Sequence, residues 1–198
     1  MNAKFFDLKQ EKQDRMINAI LKIFAENGYH HASTDDIVKE AHISKGLLFH
    51  YFESKLGAYS FAYDYIVRYF TLELSSAIDP SETSYFELMR QIEAAKMQAH
   101  KTYPYMMHFL NVCSRENVPE AVLAIEEAKN NYEEAIKSVL SAADMHKIKS
   151  NPNYNDYLKM LDCTRNSIVY DNLRENSFNA EMVYNDCVKY ISLIEKSI

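Results

Sequence analysis

The sequence predicts an all-α chain, and three observations carry that expectation. Only three glycines and four prolines interrupt 198 residues, so long helices meet few breakers. Apolar residues recur three and four positions apart rather than alternating. Capping residues and stop signals punctuate these runs at helical lengths. About nine helices follow, with no internal repeat and no low-complexity linker.

Residues 10–27 form the first predicted helix, with Met16, Ile17, Ile20, Leu21 and Phe24 on one face. Asn27 and Gly28 stop it, since glycine is free to turn left-handed past the last turn. His30 and His31 read as loop. Ser33 caps a short second helix ending near Ala41, with Asp36 placed for a capping box and two acids suited to the helix dipole. Ser44 caps a third, running to about Phe52. A fourth starts near Ser54 and stops at Asp79 and Pro80. Ser81 caps a fifth, to about Tyr103. A sixth has Pro104 in its first turn, where proline is tolerated. Pro119 opens a seventh, "KIKSNPN" is a polar break, an eighth spans about Tyr154 to Asn176, and a ninth runs from Ala180.

The formal charge of -6 is unevenly spread: residues 1–55 hold eight basic and eight acidic side chains, and residues 56–198 hold fourteen and twenty. A nucleic-acid surface, if present, should lie in the first part. No run of eighteen apolar residues predicts a membrane span, and the charged start "MNAKFFDLKQEKQDR" lacks an apolar signal core. A cytoplasmic protein is expected. Cys113, Cys163 and Cys187 are isolated in helix-like apolar contexts and read as buried thiols. No His, Cys, Asp or Glu set has metal-ligand spacing, and no nucleophile–base pair or paired carboxylates support an enzyme. Neither metal nor cofactor is expected.

The second and third helices are separated by a short turn, the helix-turn-helix arrangement that places its second helix in a DNA groove. At about 100° per residue, Leu48 and Phe52 face inward toward Ile17, Ile20, Phe24 and Ile37. Gly46, Leu47 and His50 point the other way, with Lys45, Phe49 and Tyr51 on the flanks. The free N–H groups at the helix start suit a phosphate. Gly46 lets backbone approach a base edge. Lys45 can donate to guanine or phosphate, and Leu47 and Phe49 can meet thymine methyls. His50, Tyr51 and Lys55 can donate to phosphates. A short helix with exposed Lys, His and Tyr is also an ordinary protein surface.

The stretch "AILKIFAENGYHHASTDDIVKEAHISKGLLFHYFESK", residues 19–55, resembles the DNA-binding domain of TetR-family transcriptional regulators. The resemblance rests on Phe24-Ala25-x-x-Gly28-Tyr29, on Thr34-Asp35-Asp36-Ile37, and on Ser44-Lys45-Gly46 followed by Tyr51-Phe52-x-x-Lys55. It implies a homodimer with a DNA-binding domain over residues 1–55 and a larger helical domain over 56–198 for ligand binding and dimerisation. It places DNA contacts on Thr34, Ser44, Lys45, Gly46, Leu47, Phe49, His50, Tyr51 and Lys55. Three positions depart from the pattern. His42 stands where the family usually has a turn glycine, and histidine tolerates positive φ better than most residues. Phe49 often corresponds to tyrosine. Gly57 is unusual early in the fourth helix and is expected to loosen its start.

The remaining chain carries no family-wide motif. Ile66 and Phe70, then Phe86, Met89, Ile92 and Glu93, then Met106, Phe109, Leu110 and Cys113, form stripes that read either as core or as the lining of an adaptable ligand pocket. Ile66, Phe70, Met89, Glu93, Met107 and Leu110 are the pocket candidates, with Asn166 and Tyr170 as polar anchors. Glu93 reads as a solvated rim acid in preference to a buried counter-ion. Met160, Leu161, Thr164 and Ile168, then Val183, Cys187, Tyr190, Ile191 and Ile194, form stripes on the last two helices. By resemblance these pair with a second copy as a four-helix bundle; they could equally pack inward. The resulting expectation is a homodimeric repressor released from a palindromic DNA operator by an unidentified small-molecule effector. The alternative is a DNA-binding regulator without an effector.

Overall fold

Met16, Ile17, Ile20 and Leu21 are all fully buried and Phe24 nearly so, the face that helical spacing assigns to the core of α1 (Gln10–His31). In this computed structural model, residues 3–174 and 178–198 are described. Gly28 takes φ 65° and ψ 176°, a region essentially closed to other residues. It bends the chain before one last turn, so His30 and His31 are exposed but within the helix end rather than in a loop.

The structure has ten α-helices among the described residues, one more than expected, the addition being a four-residue helix at His146–Lys149 overlapping the expected polar break. After α1 come α2 (Thr34–Ala41), α3 (Lys45–Phe52), α4 (Lys55–Ala77), α5 (Tyr85–Thr102), α6 (Met106–Ser114), α7 (Pro119–Ser141), α8 (His146–Lys149), α9 (Tyr154–Arg174) and α10 (Ala180–Glu195). Ser33 and Ser44 cap α2 and α3 as expected: their hydroxyls accept from Asp35 N–H at 3.1 Å and Leu47 N–H at 3.2 Å. Ser81 does not cap α5. Its N–H and hydroxyl both donate to Asp79 Oδ1, at 2.8 and 2.7 Å, a local turn that delays the helix to Tyr85. The expected residue 176 end of α9 lies outside the described residues.

Two compact units pack separately. The first combines the chain up to Arg68 with Thr102–Asn131. Here α1 packs on α6 and α2, and α2 on α3. Ile37 and Leu48 are fully buried and Phe52 nearly so. An N-terminal 3-10 turn (Ala3–Phe5) inserts the fully buried Phe5 ring beside Tyr51, Phe52, Phe61 and Tyr65. Tyr103 ties the unit together: its hydroxyl donates to Asp14 Oδ1 at 2.6 Å and lies 2.9 Å from the Tyr65 hydroxyl.

The second unit combines Tyr69–Lys101 with Tyr132–Ile198. Its α9 and α10 pack against each other; Leu161, Val183, Cys187 and Ile191 are buried, as are Met89 and Ile92 of α5 in the same unit. Arg90 of α5 bonds Glu195 near the end of α10. Cys113 and Cys187 are buried thiols, whereas Cys163 is exposed on α9.

Candidate nucleic-acid interface

The second and third helices are joined by residues 42–44, and the turn depends on His42. It sits at φ 52° and ψ 49°, the left-handed conformation in which the family pattern usually places glycine. Its N–H bonds Lys39 O at 3.3 Å, and Ile43 N–H bonds Val38 O at 3.0 Å, closing α2 as glycine would. Arg15 of α1 secures the same end by donating from Nε to Ala41 O at 3.0 Å. Lys22 of α1 pairs with Glu40 at 2.9 Å, and that hydrogen bond holds its pKa above the ordinary lysine value.

On α3, Ser44, Lys45, Gly46, Phe49 and His50 are exposed, and Thr34 and Leu47 are half-buried. Tyr51 is not a flank residue. It is 9% exposed, with its ring edge-on to Phe5 at 5.9 Å and to His50 at 5.0 Å. The wheel geometry missed this because Phe5, from outside the helix-turn-helix, covers that side. Lys55 is half-buried: Nζ donates to His30 O at 3.2 Å and stands 4.6 Å from the Tyr29 ring centroid. Lys45 Nζ reaches back to Asp35 Oδ1 of α2 at 2.8 Å. The residues that support the site but were not singled out are Phe5, Arg15 and Glu40; Asp35 was named only within the family motif and as a first-turn acid.

The three glycines differ in what they do. Gly28 holds a positive φ. A Cβ on Gly57 would stand 1.9 Å from Phe52 O, so this glycine lets α4 start tight against the end of α3 instead of loosening it. A Cβ on Gly46 would meet nothing within 4 Å.

The pocket candidates are divided between the two units. Ile66, Met107 and Leu110 belong to the first unit; Phe70, Met89, Glu93, Asn166 and Tyr170 to the second. Asn166 and Tyr170 are exposed. Glu93 is only 4% exposed and is no rim acid: it is a buried counter-ion bonded to Lys96 and Arg165. Burial pushes its carboxyl up, but those two cations outweigh burial and hold it at about 2. Of the dimer candidates, Leu161, Val183, Cys187 and Ile191 are buried within one chain, Ile168 and Ile194 are half-buried, and Met160 and Tyr190 are exposed. Among the described residues, no three His, Cys, Asp or Glu side chains stand together to hold a metal ion. No described helix is long and apolar enough to cross a membrane.

An N-capped, exposed helix set across a short turn from its predecessor, on an all-helical scaffold, defines a helix-turn-helix protein. Residues 16–57 match the family model of bacterial regulatory proteins, tetR family. This segment is similar to the DNA-binding domain of TetR-family regulators. Over 46 residues the chain is 48% identical to the HTH-type transcriptional regulator UidR of Escherichia coli K12, a match spanning 23% of this chain and 24% of that protein. The match thus spans about a quarter of the length of that relative. The fold is similar to a TetR-like regulator from Rhodococcus sp. RHA1, with TM-score 0.60 and 16% identity over 93% of this chain and 95% of that one. It is also similar to a transcriptional regulator FadR from Bacillus subtilis in complex with stearoyl-CoA, with TM-score 0.59 and 16% identity over 89% and 96% of the two chains.

Proposed function

We propose that this chain is a cytoplasmic, homodimeric transcriptional repressor that reads a palindromic DNA operator through α3 and is released by a small-molecule effector. Residues 1–55 are the reading domain and residues 56–198 the effector and dimer domain. The observation that carries this reading is Gly46. Glycine inside a helix costs about 0.5–1 kcal/mol relative to alanine, and no described residue stands within 4 Å of where a Cβ would lie. We infer that the requirement comes from outside: a surface approaching the helix start as closely as a base edge does. Ser44, Lys45, Phe49 and His50 are the other exposed residues of the proposed contact set, with Thr34, Leu47 and Lys55 half-buried and Tyr51 buried.

Dimerisation is assigned to exposed apolar residues of the last two helices. Met160 and Tyr170 are exposed on α9, and Met182, Tyr190 and Leu193 on α10. Effector release acts by population shift, the ligand favouring a spacing of the two heads that misses the operator. The ligand in the Bacillus subtilis fold relative supports an effector role for the second domain.

The test is selection of bound duplexes from a random pool, followed by titration of the selected site between low and physiological salt. A palindrome should emerge. The log–log slope should be about -4, from two lysines on each of two heads at about -0.9 per phosphate. A flat salt response, or equal affinity for a single half-site, overturns the paired-head reading.

A further inference from the structure

Glu93, Lys96 and His100 follow one another at three- and four-residue spacing along α5, on one face of the helix. All three are buried, at 4%, 9% and 2% exposure, and Arg165 of α9 joins them at 9%. Lys96 Nζ and Arg165 Nε both donate to the same atom, Glu93 Oε1, at 2.9 and 2.8 Å. Arg165 also reaches Asp162 Oδ1 at 3.0 Å, but that carboxylate stands in water with its side chain 68% exposed, where its field is screened. Lys96 and Arg165 therefore share one buried carboxylate; burial and the neighbouring Arg165 draw the Lys96 pKa down while Glu93 opposes them, so a second carboxylate would favour its charged form. One helical turn beyond Lys96, both ring nitrogens of His100 are buried without a hydrogen-bond partner. Its ring edge meets Phe178 at 5.2 Å between centroids, which satisfies neither nitrogen. Buried polar groups are seldom left so.

We propose that α5, α9 and α10 build a binding site for an organic carboxylate, its acid group received by Lys96 and His100 and its hydrocarbon by the apolar faces around them. The chemistry matches each deficit. A carboxylate supplies the missing negative charge. It accepts from the Lys96 ammonium, which has three N–H donors, and from the one N–H of a neutral imidazole. Burial keeps that imidazole neutral, with its pKa drawn down to about 4. A cation would face two positive charges, and a neutral apolar molecule would leave the imbalance in place. Met89 and Ile92 on α5, Leu161 and Val169 on α9, and Val183 and Ile191 on α10 are buried apolar residues of the same unit, suited to a hydrocarbon body. This proposal rests on the ligand-responsive reading and gives its ligand a chemical class.

The experiment is calorimetric titration of the full chain with butyrate, octanoate and dodecanoate, alongside octan-1-ol and octylamine, with operator affinity measured under the same additions. At least one acid should bind. The alcohol and amine should bind at least about tenfold more weakly than octanoate, and Lys96→Met and His100→Phe should each weaken the acid by at least about tenfold. Melting curves confirm that the variants are folded, and the acid, alcohol and amine comparison stands on the wild-type chain alone. Failure of every acid to bind, or equal binding of acid, alcohol and amine, overturns the site. Acid binding that leaves operator affinity unchanged keeps the site and removes the effector reading. Operator release by the alcohol or amine without acid binding keeps the effector reading and removes the site.

Discussion

Lys45 Nζ lies 2.8 Å from Asp35 Oδ1, so a cation at the start of the reading helix is held by a carboxylate of the helix before it. The pair is exposed, at 51% and 70% of the two side chains, and an exposed pair contributes about 0.2–1 kcal/mol. On the proposed reading, Lys45 leaves Asp35 to meet DNA. Asp35→Asn should therefore tighten operator binding by roughly that amount, while costing α2 about 0.3–1 kcal/mol of dipole stabilisation. Fluorescence anisotropy with a labelled duplex measures the first effect and thermal melting the second. Unchanged or weaker DNA binding would contradict the competition between Asp35 and phosphate.

Gly46 and Gly57 make opposite predictions for the same change. Gly46→Ala should stabilise the fold by about 0.5–1 kcal/mol, because helix propensity improves and the Cβ meets nothing. It should also weaken operator binding. Gly57→Ala should destabilise by about 1–3 kcal/mol or more, because its Cβ would lie 1.9 Å from the Phe52 carbonyl oxygen. Denaturant unfolding of both variants decides the matter, and a destabilised Gly46→Ala would show that the helix start has an internal constraint.

Neighbouring residues on α10 separate association from folding. Tyr190 is 38% exposed and Ile191 fully buried. Tyr190→Asp should leave the protomer folded and shift the chain toward monomer in light scattering. Ile191→Asp should cost more than about 4 kcal/mol through a charge buried without partner, and lower the melting temperature sharply. A folded Ile191→Asp chain that is merely monomeric would place that side chain in the interface instead.

His100 links stability to pH. The unfolded imidazole takes a proton near about 6.5, while burial delays this to about 4 in the folded chain. Glu93 and Lys96 on its own helix act in opposite directions on it, and burial outweighs both. As pH falls from 6.5 toward 4 the unfolded state binds the proton first, so stability is lost across that window, by about 3 kcal/mol at most. The Glu93 contribution is lost lower, from the ordinary carboxyl range down to about 2. Burial also lowers the pKa of His108, so the informative quantity is the difference between wild type and His100→Phe. Parallel unfolding curves at pH 7.5 and 5 should show the variant losing less. Equal losses would count against a buried neutral His100.

The first three helices were legible because their signals are local: apolar spacing around Met16 and Phe24, a serine before each short helix, a glycine at the bend near the end of α1. His42 was legible too, as a residue able to hold the left-handed turn. What escaped the sequence depended on distant chain segments. Glu93 looked like a rim acid because its partner Arg165 comes from another helix, 72 residues along. The one local clue was Lys96 and His100 continuing the same face of α5. The stripe on α10 was visible, but which side met the chain's own core was not, because that is settled by packing against α9. Tyr51 was misplaced for the same reason, its cover coming from Phe5 in a segment with no helical period.

That cover bears on how reading heads can be exchanged between relatives. The family match begins at residue 16, and a graft cut at that boundary would carry α3 across while leaving Phe5 behind. The transplanted Tyr51 and Phe52 would lose the ring that backs them and settle against whatever leader the recipient supplies. A portable specificity module in this chain therefore starts ahead of its recognisable motif, and chimeras with altered operator choice should take the segment from Lys4 onward as one piece.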